Sequence, residues 1–203
     1  MSETISAVVW DFGNVLISWD PFPAVAAGVG EAEAHRFFEE FDFQSWNYAC
    51  DAGGTWAEAM RQLEEENPHW LRHGRAYVDN FPLSLVGPVP GTHELVRELH
   101  AGGVRQLGLT NWSHELYPHA PETYDVVGLL DDVVVSGTEK LAKPDPAIYR
   151  LVGERAGAPL ERLVFVDDSP ANVAAASELG MRAIRFTDAD SLRVQLRAAG
   201  LPV

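Results

Sequence analysis

The chain has 203 residues, 46% hydrophobic and 22% charged, enough for one substantial core and a small inserted module. Its formal charge of −15 excludes the basic footprint of a nucleic-acid binder, and no apolar run approaches the roughly 18 residues of a membrane helix. The single cysteine, Cys50, excludes an internal disulfide and reads as a packing residue; with a Met-Ser-Glu-Thr-Ile-Ser start that lacks a secretion signal, the expected location is the cytoplasm.

In chain order, residues 5–10 read as a strand that ends at Asp11. Residues 17–88 differ from the rest: they offer no strand pattern but several helical patches. One runs over Glu31–Phe41, with Ala34, Phe37, Phe38 and Phe41 as its apolar stripe. A second covers Thr55–Glu66 and a third Pro68–Asn80. Proline and glycine flank the region, placing hinges near Ser18–Pro23 and Gly87–Gly91. Its aromatic residues (Trp46, Tyr48, Trp56, Trp70 and Tyr77) are expected to form its core, with one or two left to line a cleft. Then come a helix over 91–102, strands over 104–109 and Asp132–Ser136, a helix over 145–156, a strand at Leu163–Val166, a helix over 170–179, a strand over 182–186 and a helix over 190–199. Strands alternating with helices in this way predict a Rossmann-like, mostly parallel α/β sheet with helices on both faces. The expected division is a core of residues 1–16 and 89–203 with an all-helical cap of residues 17–88. Nothing in the sequence sets an oligomeric state.

A parallel sheet binds ligands outside the carboxyl ends of its strands. At those ends stand Asp11, then Thr110 and Asn111, then a loop with Lys140 and Lys143, then Asp167 and Asp168. Singly each has an ordinary explanation as a turn or cap residue. Adjacent acids behind Leu-Val-Phe-Val repel one another unless a cation or donors intervene. Together the groups fit phosphoryl transfer to a carboxylate: an anion attacking an anion, with charge neutralised by Mg²⁺ and a lysine, and a hydroxyl and amides on the phosphoryl oxygens. Because the overall field of the chain is negative, an anionic substrate must be held by such local positive groups. The expected partner is a small phosphorylated metabolite, with no nucleic acid and no membrane.

The segments Asp-Phe-Gly-Asn-Val-Leu, Leu-Thr-Asn-Trp-Ser, Lys-Pro-Asp-Pro-Ala-Ile-Tyr and Val-Phe-Val-Asp-Asp-Ser-Pro-Ala-Asn-Val resemble, in order, the four motifs of the haloacid dehalogenase superfamily over residues 5–186. The resemblance implies Asp11 as nucleophile and metal ligand, Thr110 as phosphate binder and Lys143 as the neutralising lysine. It implies Asp168 as the acidic metal ligand with Asp167 assisting, and places Asn172 near the metal. Gly13 and Asn111 are the expected substrate-binding positions, and the Gly13 carbonyl an expected ligand of Mg²⁺.

Phosphatases of this superfamily usually carry a second aspartate two residues after the nucleophile, as acid and base; here that position is Gly13. General acid–base help is worth about 10²–10⁴-fold, a large loss without being an abolition. Three readings follow. The first is a phosphatase, resembling Asp-x-Gly-Asn-Val members that include sugar-phosphate phosphatases, in which water or a cap group moves the proton. The second is a metal-independent 2-haloacid dehalogenase, which the missing first-motif tyrosine and the lack of an arginine between Arg36 and Arg61 disfavour. The third is a non-catalytic binding protein, for which the nucleophile would be superfluous. Asp20, His35, His69 and His73 are the candidates for a substitute acid.

Overall fold

The computed structural model describes residues 4–203, so the first three residues of the start segment lie outside the described residues. The strands are β1 (Ala7–Trp10), β2 (Ile17–Trp19), β3 (Leu85–Pro88), β4 (Arg105–Thr110), β5 (Asp132–Val135), β6 (Leu163–Asp167) and β7 (Arg182–Arg185). Five of them form one sheet in the order β5-β4-β1-β6-β7, and every pairing in it is parallel. The two faces of β1 read directly from period-2 alternation. Val8 and Trp10 join one apolar cluster, while Ala7 and Val9 join the other. The Trp10 indole N–H, 0% exposed, is satisfied by Gln106 Oε1 at 2.9 Å.

The helices are α1 (Phe22–Val29), α2 (Glu31–Glu40), α3 (Phe43–Asp51), α4 (Trp56–Glu66), α5 (Leu71–Asp79), α6 (Thr92–Ala101), α7 (His119–Thr123), α8 (Ser136–Glu139), α9 (Pro146–Ala156), α10 (Pro170–Glu178) and α11 (Ala189–Ala198). Leu95, Val96 and Leu99 of α6 and Leu192 and Leu196 of α11 cover the Trp10 face of the sheet. Ile148, Tyr149 and Val152 of α9 and Ala176 of α10 cover the other. Helices therefore lie on both faces, as the alternating pattern predicts.

Helices α1 to α5 pack on one another around Phe37, Phe43, Trp46 and Tyr77, whose rings meet mostly edge to face. Trp46, Trp56, Trp70 and Tyr77 are buried there, whereas Tyr48 is 45% exposed. The start of α4 follows from its sequence. Thr55 and Glu58 form a reciprocal capping box, which satisfies the first helical amides. Cys50 is buried, as its reading as a packing residue requires.

One expectation is corrected. Residues 17–88 are not purely helical: β2 and β3 pair antiparallel at the two ends of the region. Strands of three and four residues are too short to display an alternation, and Gly87 and Pro88 look like breakers. An isolated two-stranded ribbon tolerates both, because its outer edge needs no ladder partner. The third helical patch also begins differently, with a 3₁₀ turn at Pro68–Trp70 before α5.

Candidate active site

The central strand β1 delivers Asp11. Its main-chain N–H donates to Val166 O at 2.9 Å, extending the ladder by one residue before the chain turns. Phe12 O then accepts from both Leu16 and Ile17, and Asn14 takes a left-handed φ of 56°. This tight turn sends the chain into β2 and leaves Asp11 at the carboxyl edge of the sheet. Thr110 and Asp167 are the last residues of β4 and β6, the strands on either side.

These ends meet around one ammonium group. Lys143 Nζ donates to Asp11 Oδ1 at 2.7 Å and to Asp167 Oδ2 at 2.7 Å, and Lys143 is 2% exposed. Burial works against its charge, yet the two carboxylates outweigh that and hold its pKa above the usual lysine value. Asp11 is pushed up to about 7 by burial, with Asp167 adding to the rise and Lys143 opposing it. Lys140, the other lysine of that loop, is solvent-exposed.

The neighbouring polar groups hold this arrangement. Asn111 Oδ1 accepts from Lys143 N at 2.8 Å, and its Nδ2 donates to Lys143 O at 2.9 Å. Both ends of that amide are thus committed to the lysine's own backbone. Asp167 is fully buried and accepts from Ser169 N at 2.8 Å and from Asn172 Nδ2 at 3.1 Å. Asn172 thus touches the acidic pair through Asp167. Asp168 is partly exposed, and burial followed by the charge of Asp167 raises its pKa.

One carboxylate oxygen from each of Asp11, Asp167 and Asp168 lies within 4.8 Å of the others. Hard oxygen donors clustered this closely suit a hard divalent cation.

Above these strand ends opens a cleft of about 150 Å³ between the sheet and helices α3 and α5. Gly13, Thr110 and Asn111 line its floor, and Trp19, Tyr48, Tyr77, Phe81 and Trp112 give it aromatic walls. The buried indole N–H of Trp112 finds no hydrogen-bond partner among the described residues. A Cβ built on Gly13 would meet nothing within 4 Å, so the glycine leaves open space rather than relieving a crowded backbone.

The substitute acids named from sequence lie elsewhere. Asp20 caps Phe22 N at 2.9 Å on the exterior, and His35 and His69 are exposed. His73 packs against Phe37 and Trp70 and faces Glu33. The carboxylate that does line the cleft is Asp51, which no local motif marks. Only its position at the end of α3, facing the sheet once the helices dock, reveals it.

The family model for haloacid dehalogenase-like hydrolases matches residues 5–180. The chain belongs to this family. Among curated relatives, the sesquiterpene phosphatase astK of Aspergillus oryzae is 24% identical over 97% of both chains. The drimenol cyclase drtB of Aspergillus calidoustus is 36% identical over 95% of this chain, which spans only 36% of that protein's length. An (S)-2-haloacid dehalogenase of Pseudomonas putida is 25% identical over 88% of this chain and 84% of its own. In fold, the chain matches an enzyme of this family from Bacteroides thetaiotaomicron, solved as a magnesium complex. The TM-score is 0.74 at 21% identity, over 96% of this chain and 100% of that one. Among the described residues of this haloacid dehalogenase-like hydrolase, no helix is long and apolar enough to cross a membrane.

Proposed function

We propose that this hydrolase is a Mg²⁺-dependent phosphatase of small phosphate monoesters that acts through an aspartyl phosphate on Asp11. The observation that carries the reading is the convergence of the Asp11 carboxylate, the Lys143 ammonium and the Asp167–Asp168 pair on one strand edge. The helical segment between β2 and β3 acts as the cap that shapes the leaving-group side.

In this reading an Asp11 oxygen attacks phosphorus in line with the departing ester oxygen, and the carboxylate becomes an acyl phosphate. Lys143 offsets the charge that builds on the phosphoryl oxygens, while Asn111 keeps the lysine loop in place. The Thr110 hydroxyl and backbone amides of the turn after Asp11 hold those oxygens as negative charge spreads over them. When bound by Asp11, Asp168 and the Gly13 carbonyl, with Asp167 beside them, magnesium supplies the remaining neutralising charge.

The cleft bounds the substrate. A cavity of about 150 Å³ is the size that accepts a single benzene ring. The leaving group of a small phosphate monoester, a sugar phosphate included, lies against the aromatic walls in this reading. Larger bodies extend out of the mouth.

The dehalogenase relative supplies the second reading, but the cleft lacks the arginine which that reading expects to take up halide. Among the described residues that line it none is a lysine or arginine, and Arg36 sits on the outer surface with Glu33 and Glu40. The deciding experiment is turnover of p-nitrophenyl phosphate with and without Mg²⁺, in wild type and Asp11→Asn. The expected result is Mg²⁺-dependent hydrolysis that the substitution abolishes. Chloride release from 2-chloropropionate without metal, and no phosphatase activity, would replace this reading with the dehalogenase one.

A further inference from the structure

The cleft contains a carboxyl group opposite the vacant position at Gly13. Asp51 ends α3 and lines the same cleft as Gly13, Thr110 and Asn111. Its carboxylate is aimed by a relay. The Tyr77 hydroxyl donates to Asn47 Oδ1 at 3.1 Å, and Asn47 Nδ2 donates to Asp51 Oδ2 at 2.8 Å. No lysine, arginine or histidine pairs with Asp51 among the described residues, unlike the buried acids around Lys143. A carboxylate kept in a cleft without a counter-charge is costly, so the group tends to hold a proton.

We propose that Asp51 is the acid and base that this chain uses in place of an aspartate at position 13, delivered by the cap rather than by the nucleophile's own loop. The inference rests on the phosphatase reading above. In the first step the Asp51 carboxyl gives its proton to the ester oxygen as the P–O bond breaks and the Asp11–phosphorus bond forms, so that the alcohol leaves neutral. In the second step the Asp51 carboxylate takes a proton from water as that water attacks phosphorus. The Asp11–phosphorus bond breaks, phosphate departs, and both aspartates return to their starting forms. Burial pushes the Asp51 pKa up to about 7, which leaves the group able to give and accept a proton near neutrality. The simpler role for Asp51 is a latch: Ser136 Oγ, at the start of α8, also donates to Asp51 O at 2.5 Å, tying α3 to the sheet. A latch holds all substrates alike; an acid matters in proportion to the basicity of the leaving group.

The test is a series of phosphate esters, from p-nitrophenyl through phenyl to simple alkyl phosphates, measured in wild type and Asp51→Asn under conditions where chemistry is rate-limiting. The expected wild-type kcat/KM varies little along the series. In Asp51→Asn the alkyl esters lose about 10²–10⁴-fold while p-nitrophenyl phosphate loses about threefold or less. The ratio between two esters is insensitive to any unfolded fraction, and Asp51→Ser or Asp51→Ala serves if the asparagine variant does not fold. A steep dependence already present in wild type overturns the assignment, as does an equal loss on every ester in the variant. Neither result touches the phosphatase reading, which the Asp11→Asn control tests separately.

Discussion

Replacing Lys143 with methionine removes the ammonium and keeps most of the side-chain volume. In the wild type that group sits 2.7 Å from each of two buried carboxylates and is 2% exposed. Deleting one member of a buried ionic contact costs about 3–5 kcal/mol, because it strands the charge left behind. At about 2–4 °C per kcal/mol for a chain of this length, Tm falls by roughly 10 °C at pH 8 in EDTA. The pH dependence has a definite sign. The lysine's raised pKa makes its contribution complete everywhere below its unfolded value of 10.5, so its own titration plays no part between pH 4 and 8. Asp11, stranded by the substitution, does titrate in that range. Burial holds the native Asp11 above its ordinary value of 3.8, and loss of Lys143 removes the charge that opposed this. The native variant then keeps protons that its unfolded chain has released, so its stability drops as pH rises from about 4 through the raised native pKa. Below about pH 4 both states are protonated and the gap between variant and wild type narrows. Thermal melts followed by circular dichroism at pH 4 and pH 8 read this directly, and millimolar Mg²⁺ is expected to shrink the pH 8 gap by restoring positive charge. A gap of equal size at both pH values would mean that lost packing, not charge, explains the change. No gap at pH 8 would refute the electrostatic account altogether.

Two further outcomes are expected. Asp168→Asn removes a negative ligand from a site for a hard cation and should raise the Mg²⁺ concentration for half-maximal activity by about tenfold or more, as a metal titration would read. Cys50, 1% exposed and with its thiol pushed up to about 12 by burial, should resist iodoacetamide in the native protein at neutral pH and react once urea unfolds it, which mass spectrometry would detect.

The parallel sheet and its chemical edge were legible because the signals are local. Val8, Val9 and Trp10 mark a strand buried on both faces, and topology carries whatever follows each strand to the same edge. Asp11, Thr110, Lys143 and Asp167 could therefore be assembled across most of the chain without any knowledge of packing. Asp51 and Trp112 could not be read as cleft residues in this way. Asp51 ends a helix with no special local pattern and faces the sheet only after α3 docks on it, through a bond from Ser136 that sequence spacing does not encode. The short ribbon of β2 and β3 was hidden for a related reason: Ile17–Trp19 and Leu85–Pro88 are strands only because they find each other. Asn111 stands at a strand end and lines the cleft, and its amide also bonds the backbone of Lys143, a link that strand order alone does not show.

The β2–β3 ribbon has a consequence for how such a molecule diversifies. The chain departs from the sheet and comes back to it at two adjacent points, Trp19 lying beside Leu85 in the ladder. Everything between is a closed excursion whose length does not enter the geometry of the five-stranded platform. An exchange of that excursion at the ribbon would replace Tyr48, Tyr77 and Phe81 of the cleft wall while Asp11 and its ammonium partner stay where β1 and the Lys143 loop put them. Under the proposed phosphatase reading, chemistry and selectivity thereby become separable units of inheritance, joined by one pair of neighbouring strands.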